Sequence, residues 1–302
     1  MNFDDETMRL LQEEMERQMN ELNILPVEKI DNLSPMDLEY LLYDTFGEDS
    51  PVAFKANIAD DILDDIPFLK LCEAYFEILQ QHGALKLTAR GNLPRKVCLD
   101  LYDRGIIKED FIESGLMTLR KESDSVVLQN VKLISDMAGI TKKRNNKMSL
   151  TKKGEQLLQP KNRQRLLEAL FIANARQFNW GFHDGYPQEA GVQMTFGYTL
   201  YLLLRYGKTK RSFHFYGEKS ITAFKFELDY FDNRFDTPEE GYKKCLWLRT
   251  FDRFLNFYGM VDFNPNKGIF DLNIDIKTSR LFDGVFELRP EKFKFKKIGF
   301  NA

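Results

Sequence analysis

Apolar residues recur at steps of three and four along much of the chain, and this spacing predicts a mainly helical protein. The first such pattern is a stripe on one face of an acidic, amphipathic helix near the N-terminus. The stripe consists of Met8, Leu11, Met15, Met19 and Leu22. Such a stripe packs either on its own domain or on a protein partner, and the first arrangement is the more common. We therefore expect this helix to dock on the rest of the chain, with a protein partner as the alternative.

Residues 66–178 alternate helical patterns with short strand patterns. The predicted order is a helix at 66–82, a strand at 85–88, helices at 94–103 and 124–138, and a hairpin of strands 140–143 and 148–151. A hairpin alone is only marginally stable, so a third strand under a helical layer gives it a face to bury. This order is typical of a winged-helix domain, in which the helix before the hairpin can enter the major groove of DNA.

The C-terminal part of the chain is rich in aromatic residues. Residues 171–302 hold 30 of the 40 aromatic side chains. Most recur at helical spacing, as in Trp247, Phe251, Phe254 and Tyr258, which favours a core over stacking platforms for bases. The helix that contains these four residues precedes a strand, an Asn-Pro-Asn-Lys-Gly turn at 264–268 and a second strand. This resembles the order around the first hairpin and suggests a second wing-like hairpin.

These patterns predict a mainly α fold with small antiparallel β-sheets. The predicted segments are an acidic helical extension at 1–65, a winged-helix domain at 66–178 and an aromatic-rich helical domain at 179–302.

The charge of the chain is distributed unevenly. Residues 1–65 contain 18 acidic and 4 basic side chains, a net charge of −14, whereas the remainder contains 28 acidic and 39 basic side chains, a net charge of +11. An acidic segment next to a basic body indicates a charged partner or masking of the basic surface by the acidic one. The alternative is two solvated surfaces of opposite sign that pack together.

The hairpin is the most basic stretch, because residues 142–153 contain six basic side chains and no acidic one. If the protein binds duplex DNA, we expect Lys142, Lys143, Arg144 and Lys147 to contact phosphate oxygens. The preceding helix is expected to present Ser125, Gln129, Lys132 and Asp136 on its outer face, with Gln129 and Asn130 reading adenine edges and Lys132 reaching guanine or phosphate. The predicted nucleic-acid-binding residues are thus Gln129, Asn130, Lys132, Lys142, Lys143, Arg144, Lys147 and Lys152.

Other chemistry finds little support in the sequence. Cys72, Cys98 and Cys245 are far apart, which indicates buried free thiols in a reducing compartment and predicts a cytoplasmic protein. No apolar run is long enough for a membrane span, and the N-terminus lacks a signal-peptide pattern. We expect no catalytic residues, metal or cofactor. His183-Asp184 is the one candidate acid–base or metal pair, and a turn in which Asp184 caps the backbone is the favoured interpretation.

Two quoted stretches carry a family resemblance: "LKLTARGNLPRKVCLDLY" and "AGITKKRNNKMSLTKKGEQLL". Together they resemble a paired motif in uncharacterised bacterial proteins related to the plasmid-encoded open-reading-frame-three-like group, some of which lie near mobile elements. The resemblance extends from about Ile66 to Trp180 and includes "FNWGFHDGY" at 178–186. It implies a winged-helix-like fold and supplies no activity or catalytic residues.

The sequence therefore predicts a non-enzymatic, DNA-binding protein, regulatory or associated with mobile DNA. The alternative is a protein-interaction scaffold in which both winged helices are purely structural. In either case a protein partner can bind through the acidic N-terminal helix, and no membrane is involved.

Overall fold

The computed structural model describes residues 5–232, 234, 236–264 and 271–290, and these residues form a mainly helical structure with small antiparallel sheets. The α-helices are α1 (Asp5–Asn23), α2 (Pro35–Tyr43), α3 (Asp60–Asp65), α4 (Pro67–His82), α5 (Arg95–Asp103), α6 (Asp110–Glu113), α7 (Val126–Met137), α8 (Lys152–Leu157), α9 (Arg163–Arg176), α10 (Phe196–Tyr206), α11 (Phe213–Ala223), α12 (Pro238–Leu246) and α13 (Arg280–Val285). The strands are β1 (Val52–Phe54), β2 (Leu85–Lys86), β3 (Thr141–Arg144), β4 (Lys147–Leu150), β5 (Arg211–Ser212), β6 (Val261–Phe263), β7 (Asp275–Thr278) and β8 (Phe286–Leu288). The predicted fold class is confirmed at this coarse level.

Local capping signals start two of the helices. Ser34 and Asp37 form a reciprocal capping box at the start of α2, with Pro35 in the first turn. Thr237 and Glu240 form the same arrangement at α12. Each box satisfies backbone N–H groups that would otherwise have no partner within the helix. α12 continues directly into a π-helix, Trp247–Leu255.

The predicted third strand of the first sheet is present. β2 pairs with β4, which pairs with β3, so the sheet order is β2-β4-β3 and every pairing is antiparallel. In chain order the elements are α4, β2, α5, the short α6, α7, β3 and β4. The helical layer of this sheet comes from α4 and α7, and α9 also packs against α7.

A second three-stranded sheet has the same order of strands. β5 pairs with β7, which pairs with β6, and the preceding elements are α10, β5, α11 and α12 with its π-helical continuation. The predicted strands on either side of the second turn therefore do pair. Most of the predicted turn, residues 265–268, lies outside the described residues.

A third sheet joins segments far apart in the chain, because β1 pairs with β8. Side chains from all three predicted segments contribute to one apolar cluster, including Leu41, Phe76 and Phe254. The aromatic residues at helical spacing are part of it, since Phe251, Phe254 and Tyr258 are almost completely buried. The interpretation of these aromatic residues as core is thus confirmed.

The segment 1–65 divides into two parts. Residues from Ile30 to Leu63 contribute to the apolar cluster, whereas α1 is exposed along its length. The five apolar residues of the α1 stripe are between 47% and 62% exposed. The expectation that this helix docks on its own chain is therefore wrong, because no described element covers the stripe.

Candidate nucleic-acid interface

The basic hairpin, residues 141–150, is closed by a two-residue turn. Asn145 and Asn146 have φ angles of 50° and 55°. Left-handed geometry at both central positions is typical of a type I′ turn, and asparagine tolerates it better than most residues. The side-chain nitrogen of Asn146 donates to the carbonyls of Leu87 (3.1 Å) and Thr88 (3.0 Å). The tip of the hairpin is thereby fixed to the chain that follows β2.

Three cationic residues lie side by side across the sheet. Lys86 of β2 is directly opposite Lys147 of β4, which is directly opposite Arg144 of β3. Directly opposite residues project from the same face, and alternation along a strand adds Lys142, two positions before Arg144. We call this face the basic sheet face and define it by Lys86, Lys142, Arg144 and Lys147.

The basic sheet face is open and uncompensated. All four of its cationic residues are exposed. Among the described residues, no carboxylate forms an ion pair with any of the four. Like charges directly opposite each other in a sheet repel, so the row destabilises the sheet slightly and concentrates positive potential. Such a face attracts an anion with regularly spaced charges.

The opposite face of the sheet packs on the core. Met148, at its centre, is buried. Lys143 belongs to this side but is exposed, and a Cβ added at Gly91 would come within 2.8 Å of its ammonium nitrogen. Burial raises the pKa of the nearby Asp136, and the positive charges of Lys132 and Lys143 offset part of that rise. Lys143 is therefore close to a carboxylate, unlike the residues of the basic sheet face.

The junction between the hairpin and α8 has the sequence Leu-Thr-Lys-Lys-Gly at 150–154. The hydroxyl of Thr151 donates to the carbonyl of Gly139 (2.7 Å) and accepts from the backbone N–H of Gly154 (2.9 Å), so it caps α8. Lys152 is exposed at the start of α8, whereas Lys153 donates to the carbonyl of Ala138 (2.8 Å). Of these two lysines, Lys152 is the one available to a ligand.

The prediction for the helix before the hairpin is wrong in part. Ser125, Asn130 and Lys132 are buried, and Gln129 is half-buried. Only Asp136 of the predicted outer residues is exposed. The physical reason is that the buried polar side chains have partners within the protein: Ser125 donates to the carboxylate of Glu109, and Lys132 contacts Glu122 and Gly91. Part of the face that periodicity marks as polar is thus covered by segments that precede α7 in the chain.

Lys132 has a structural role inside this layer. Its ammonium lies 2.5 Å from a carboxylate oxygen of Glu122 and donates to the carbonyl of Gly91 at 3.0 Å. The other oxygen of Glu122 accepts from the backbone N–H of Leu93 at 2.5 Å. The pair therefore joins α7 to the loop before α5, and the buried ammonium of Lys132 is not accessible to DNA.

Of the predicted site residues, the structure brings Lys142, Lys143, Arg144 and Lys147 together on the hairpin, with Lys152 just beyond it. It does not bring Gln129, Asn130 or Lys132 to that surface. Sequence reasoning missed Lys86, although the alternation Leu85-Lys86-Leu87 contained the signal. A strand with buried residues on both sides of a lysine directs that lysine to the outer face.

The second three-stranded sheet has the same strand order as the first, so the outward faces of the two sheets can be compared. Its outward residues are Ser212, Asp262, Asp275 and Lys277, because Ile276 faces the core. Asp262 is directly opposite Lys277, a pairing of opposite charges. Lys210 also lies 3.3 Å from Asp275. This face is charge-compensated where the basic sheet face is not.

Asp184, one member of the His183-Asp184 candidate pair, is buried in an ion pair with Arg249. Both oxygens of Asp184 accept from the guanidinium of Arg249 at 2.8 Å, and both side chains are 2% exposed. Asp184 also accepts from the backbone N–H of Tyr186 at 3.0 Å, as expected for a capping turn. The side chain of His183 lies outside the described part of the structure.

The cysteines do not form a reactive or metal-binding site in the described residues. The three cysteines are free and buried, and burial raises the pKa of Cys98 and of Cys245 to about 12. Over the described ranges, no three His, Cys, Asp or Glu side chains come together as a metal site. In the same ranges no helix is sufficiently long and apolar to cross a bilayer.

No protein-family model matches this sequence, and neither a curated protein nor a solved structure matches it. The geometry of the basic sheet face is therefore the basis for functional inference.

Proposed function

We propose that this chain is a non-enzymatic, winged-helix protein that binds the phosphate backbone of duplex DNA through the basic sheet face without reading the base sequence. The observation that carries the proposal is the uninterrupted row Lys86, Lys147 and Arg144, extended by Lys142 and without a carboxylate partner in the described part of the chain. Phosphate contacts supply affinity and carry no sequence information.

The winged-helix assignment is supported by the order of elements. Helix, strand, helix, helix, strand, strand, with the last strand in the middle of the sheet, occurs in the region that resembles the bacterial family and again between α10 and β7. The shared order also favours a tandem repeat of two such modules. In this proposal only the first module binds DNA, since the outward face of the second is charge-compensated.

Burial of α7 determines the binding mode. Asn130 and Lys132, the side chains expected to reach base edges from α7, are buried, so α7 does not act as a recognition helix in this proposal. The hairpin and the sheet are then left as the contact surface. The basic sheet face contains no aromatic residue, so stacking on single-stranded bases has no platform there. Both features favour the backbone of a duplex as the ligand.

The test is fluorescence anisotropy with a mixed-sequence duplex of about 20 base pairs, titrated at several salt concentrations. Four phosphate contacts predict a slope of log K against log salt of roughly −3 to −4. Substitution of Lys147 by Ala should weaken binding equally for all sequences and reduce the slope by about 1. The matched control is Lys277→Ala, because Lys277 occupies the central strand and outward face of the second sheet.

Protein stability separates a binding defect from unfolding. Removal of one charge from a row of like charges should leave the thermal midpoint unchanged or raise it. The proposal fails if the wild-type chain does not bind duplex at low salt, or if Lys277→Ala weakens binding as much as Lys147→Ala.

The second candidate is a protein-interaction scaffold in which the two modules are structural. It is favoured by the burial of α7 and by the exposed apolar stripe of α1. Absence of duplex binding in the same titration is the result expected for a scaffold.

A further inference from the structure

α1 presents an apolar stripe that no described element covers. At about 100° per residue, its five members fall within an arc of about 80°. They are Met8 (54% exposed), Leu11 (47%), Met15 (62%), Met19 (58%) and Leu22 (61%). The open groove between α1 and Met36 is lined from α1 by other residues, among them Glu13 and Asn20. These lie on the far side of the helix, so the stripe points away from the body of the protein.

The spacing of the stripe is symmetric. Its successive intervals are three, four, four and three residues, and Met15 is the centre. If a second copy of α1 is laid antiparallel about Met15, each member meets a member of the other stripe. Met8 then faces Leu22 of the second copy, Leu11 faces Met19, and Met15 faces itself. A stripe shaped for an unrelated groove has no need of such symmetry.

We propose that α1 is a dimerisation helix that pairs antiparallel with α1 of a second copy about Met15. The contact is isologous, as in most homodimers, because the same surface is used by both chains. Ten large, half-exposed side chains bring the apolar area near the roughly 1,000 Å² that a specific interface needs. This inference is independent of DNA binding.

The net negative charge of α1 determines whether salt strengthens or weakens the dimer. α1 carries six acidic and two basic residues, so two copies repel. Internal pairs reduce this repulsion, since Arg17 lies 2.7 Å from Glu14 and Arg9 lies 3.5 Å from Glu13. Added salt screens the remaining repulsion and should strengthen the dimer. A contact between this acidic helix and a basic surface would instead weaken with salt.

Sedimentation velocity over a range of protein concentrations tests the proposal on the full-length chain. We expect a monomer–dimer equilibrium that shifts toward dimer between about 0.1 and 0.5 M NaCl. The Debye length is about 10 Å at the lower concentration and becomes shorter as salt is added. Met15→Glu places two carboxylates face to face and should weaken dimerisation by at least about tenfold. Leu10→Glu is the matched control, because Leu10 is 56% exposed on the opposite side of the same helix.

Cysteine trapping tests the direction of pairing. A mixture of the Leu11→Cys and Met19→Cys variants should form a disulfide-linked heterodimer on oxidation, and Met15→Cys should link to itself. The native thiols are buried and do not compete. The proposal is overturned by a monomeric wild-type chain, by a dimer that Met15→Glu leaves intact, or by preferential self-linking of the Leu11→Cys variant, which indicates parallel helices.

Discussion

The ammonium of Lys132 lies 2.5 Å from the carboxylate of Glu122, and both side chains are at most 10% exposed. Lys132, which the sequence predicts to contact DNA, thus forms a buried ion pair instead. Removal of one partner leaves an uncompensated buried charge, which is strongly destabilising.

We therefore expect Lys132→Met to lower the free energy of unfolding by about 3–5 kcal/mol. Urea denaturation followed by circular dichroism measures this. The control is Lys142→Met on the basic sheet face, where a change of stability within about 0.5 kcal/mol is expected for an exposed site. A Lys132→Met variant with full stability and reduced affinity for duplex DNA would contradict the structural role.

The carboxylate of Asp31 anchors the segment before α2 to α10 and α11. It accepts from the hydroxyls of Tyr198 (2.9 Å) and Tyr206 (2.7 Å) and from the ammonium of Lys219 (2.7 Å). Burial by itself would raise the pKa of Asp31, but the hydrogen bonds from Lys219, Tyr206 and Tyr198 outweigh it, so the pKa lies below its ordinary value of 3.8. Asp31 accordingly favours the folded state in its charged form.

Because the folded pKa is depressed, this stabilisation is present above the unfolded pKa and is lost as the pH falls through the folded one. Asp31→Asn should lower the free energy of unfolding at pH 7 by about 1.5–3 kcal/mol, and the difference from wild type should shrink below about pH 4. Asp229→Asn, at an exposed site, is the control. An Asp31→Asn defect of equal size at pH 7 and pH 3 would show that charge is not the cause.

The three thiols should be unreactive in the native protein. Burial raises the pKa of Cys98 and Cys245 to about 12, and it also raises that of Cys72, so little thiolate exists at neutral pH. We expect negligible labelling by a thiol-specific disulfide reagent at pH 8 without denaturant, and release of three equivalents in guanidinium. Rapid labelling of one thiol in the native state would mean that its segment opens locally.

Gly154 lies against the backbone of Ile140, the residue just before the hairpin. A Cβ at this position would come within 2.2 Å of the carbonyl oxygen of Ile140, an atom that cannot move independently of the chain. Gly154→Ala should therefore lower the free energy of unfolding by about 1–3 kcal/mol. Gly185→Ala is the matched control, since no atom lies within 4 Å of its added Cβ. Equal stability of the two variants would show that the junction relaxes.

Local sequence patterns were sufficient to predict most elements of the first module, from α4 to β4. The strand at Leu85, the helix that became α7 and the basic hairpin each follow from short-range periodicity and turn residues. The hairpin turn itself depends on two adjacent asparagines that tolerate positive φ. Such features involve residues close in the chain, so the sequence contains the information directly.

The contacts of α7 depend on residues far away in the sequence. α9 begins 26 positions after the end of α7 yet packs against it, and the ammonium of Lys132 donates to the carbonyl of Gly91, 41 positions earlier in the chain. Periodicity reports which face of a helix is polar, but a buried polar face with satisfied partners has the same pattern as a solvated one.

The sequence by itself thus determined the mainly helical class, the stretch 142–153 with its six basic residues and the symmetric apolar stripe of α1, because each is a property of neighbouring residues. Only the tertiary structure decided which side chains are accessible. In it Asn130 and Lys132 are buried, Lys86 lies on the basic sheet face, and the α1 stripe is uncovered by any described element. The physical reason is that accessibility is set by packing between elements distant in the chain, which no local pattern specifies.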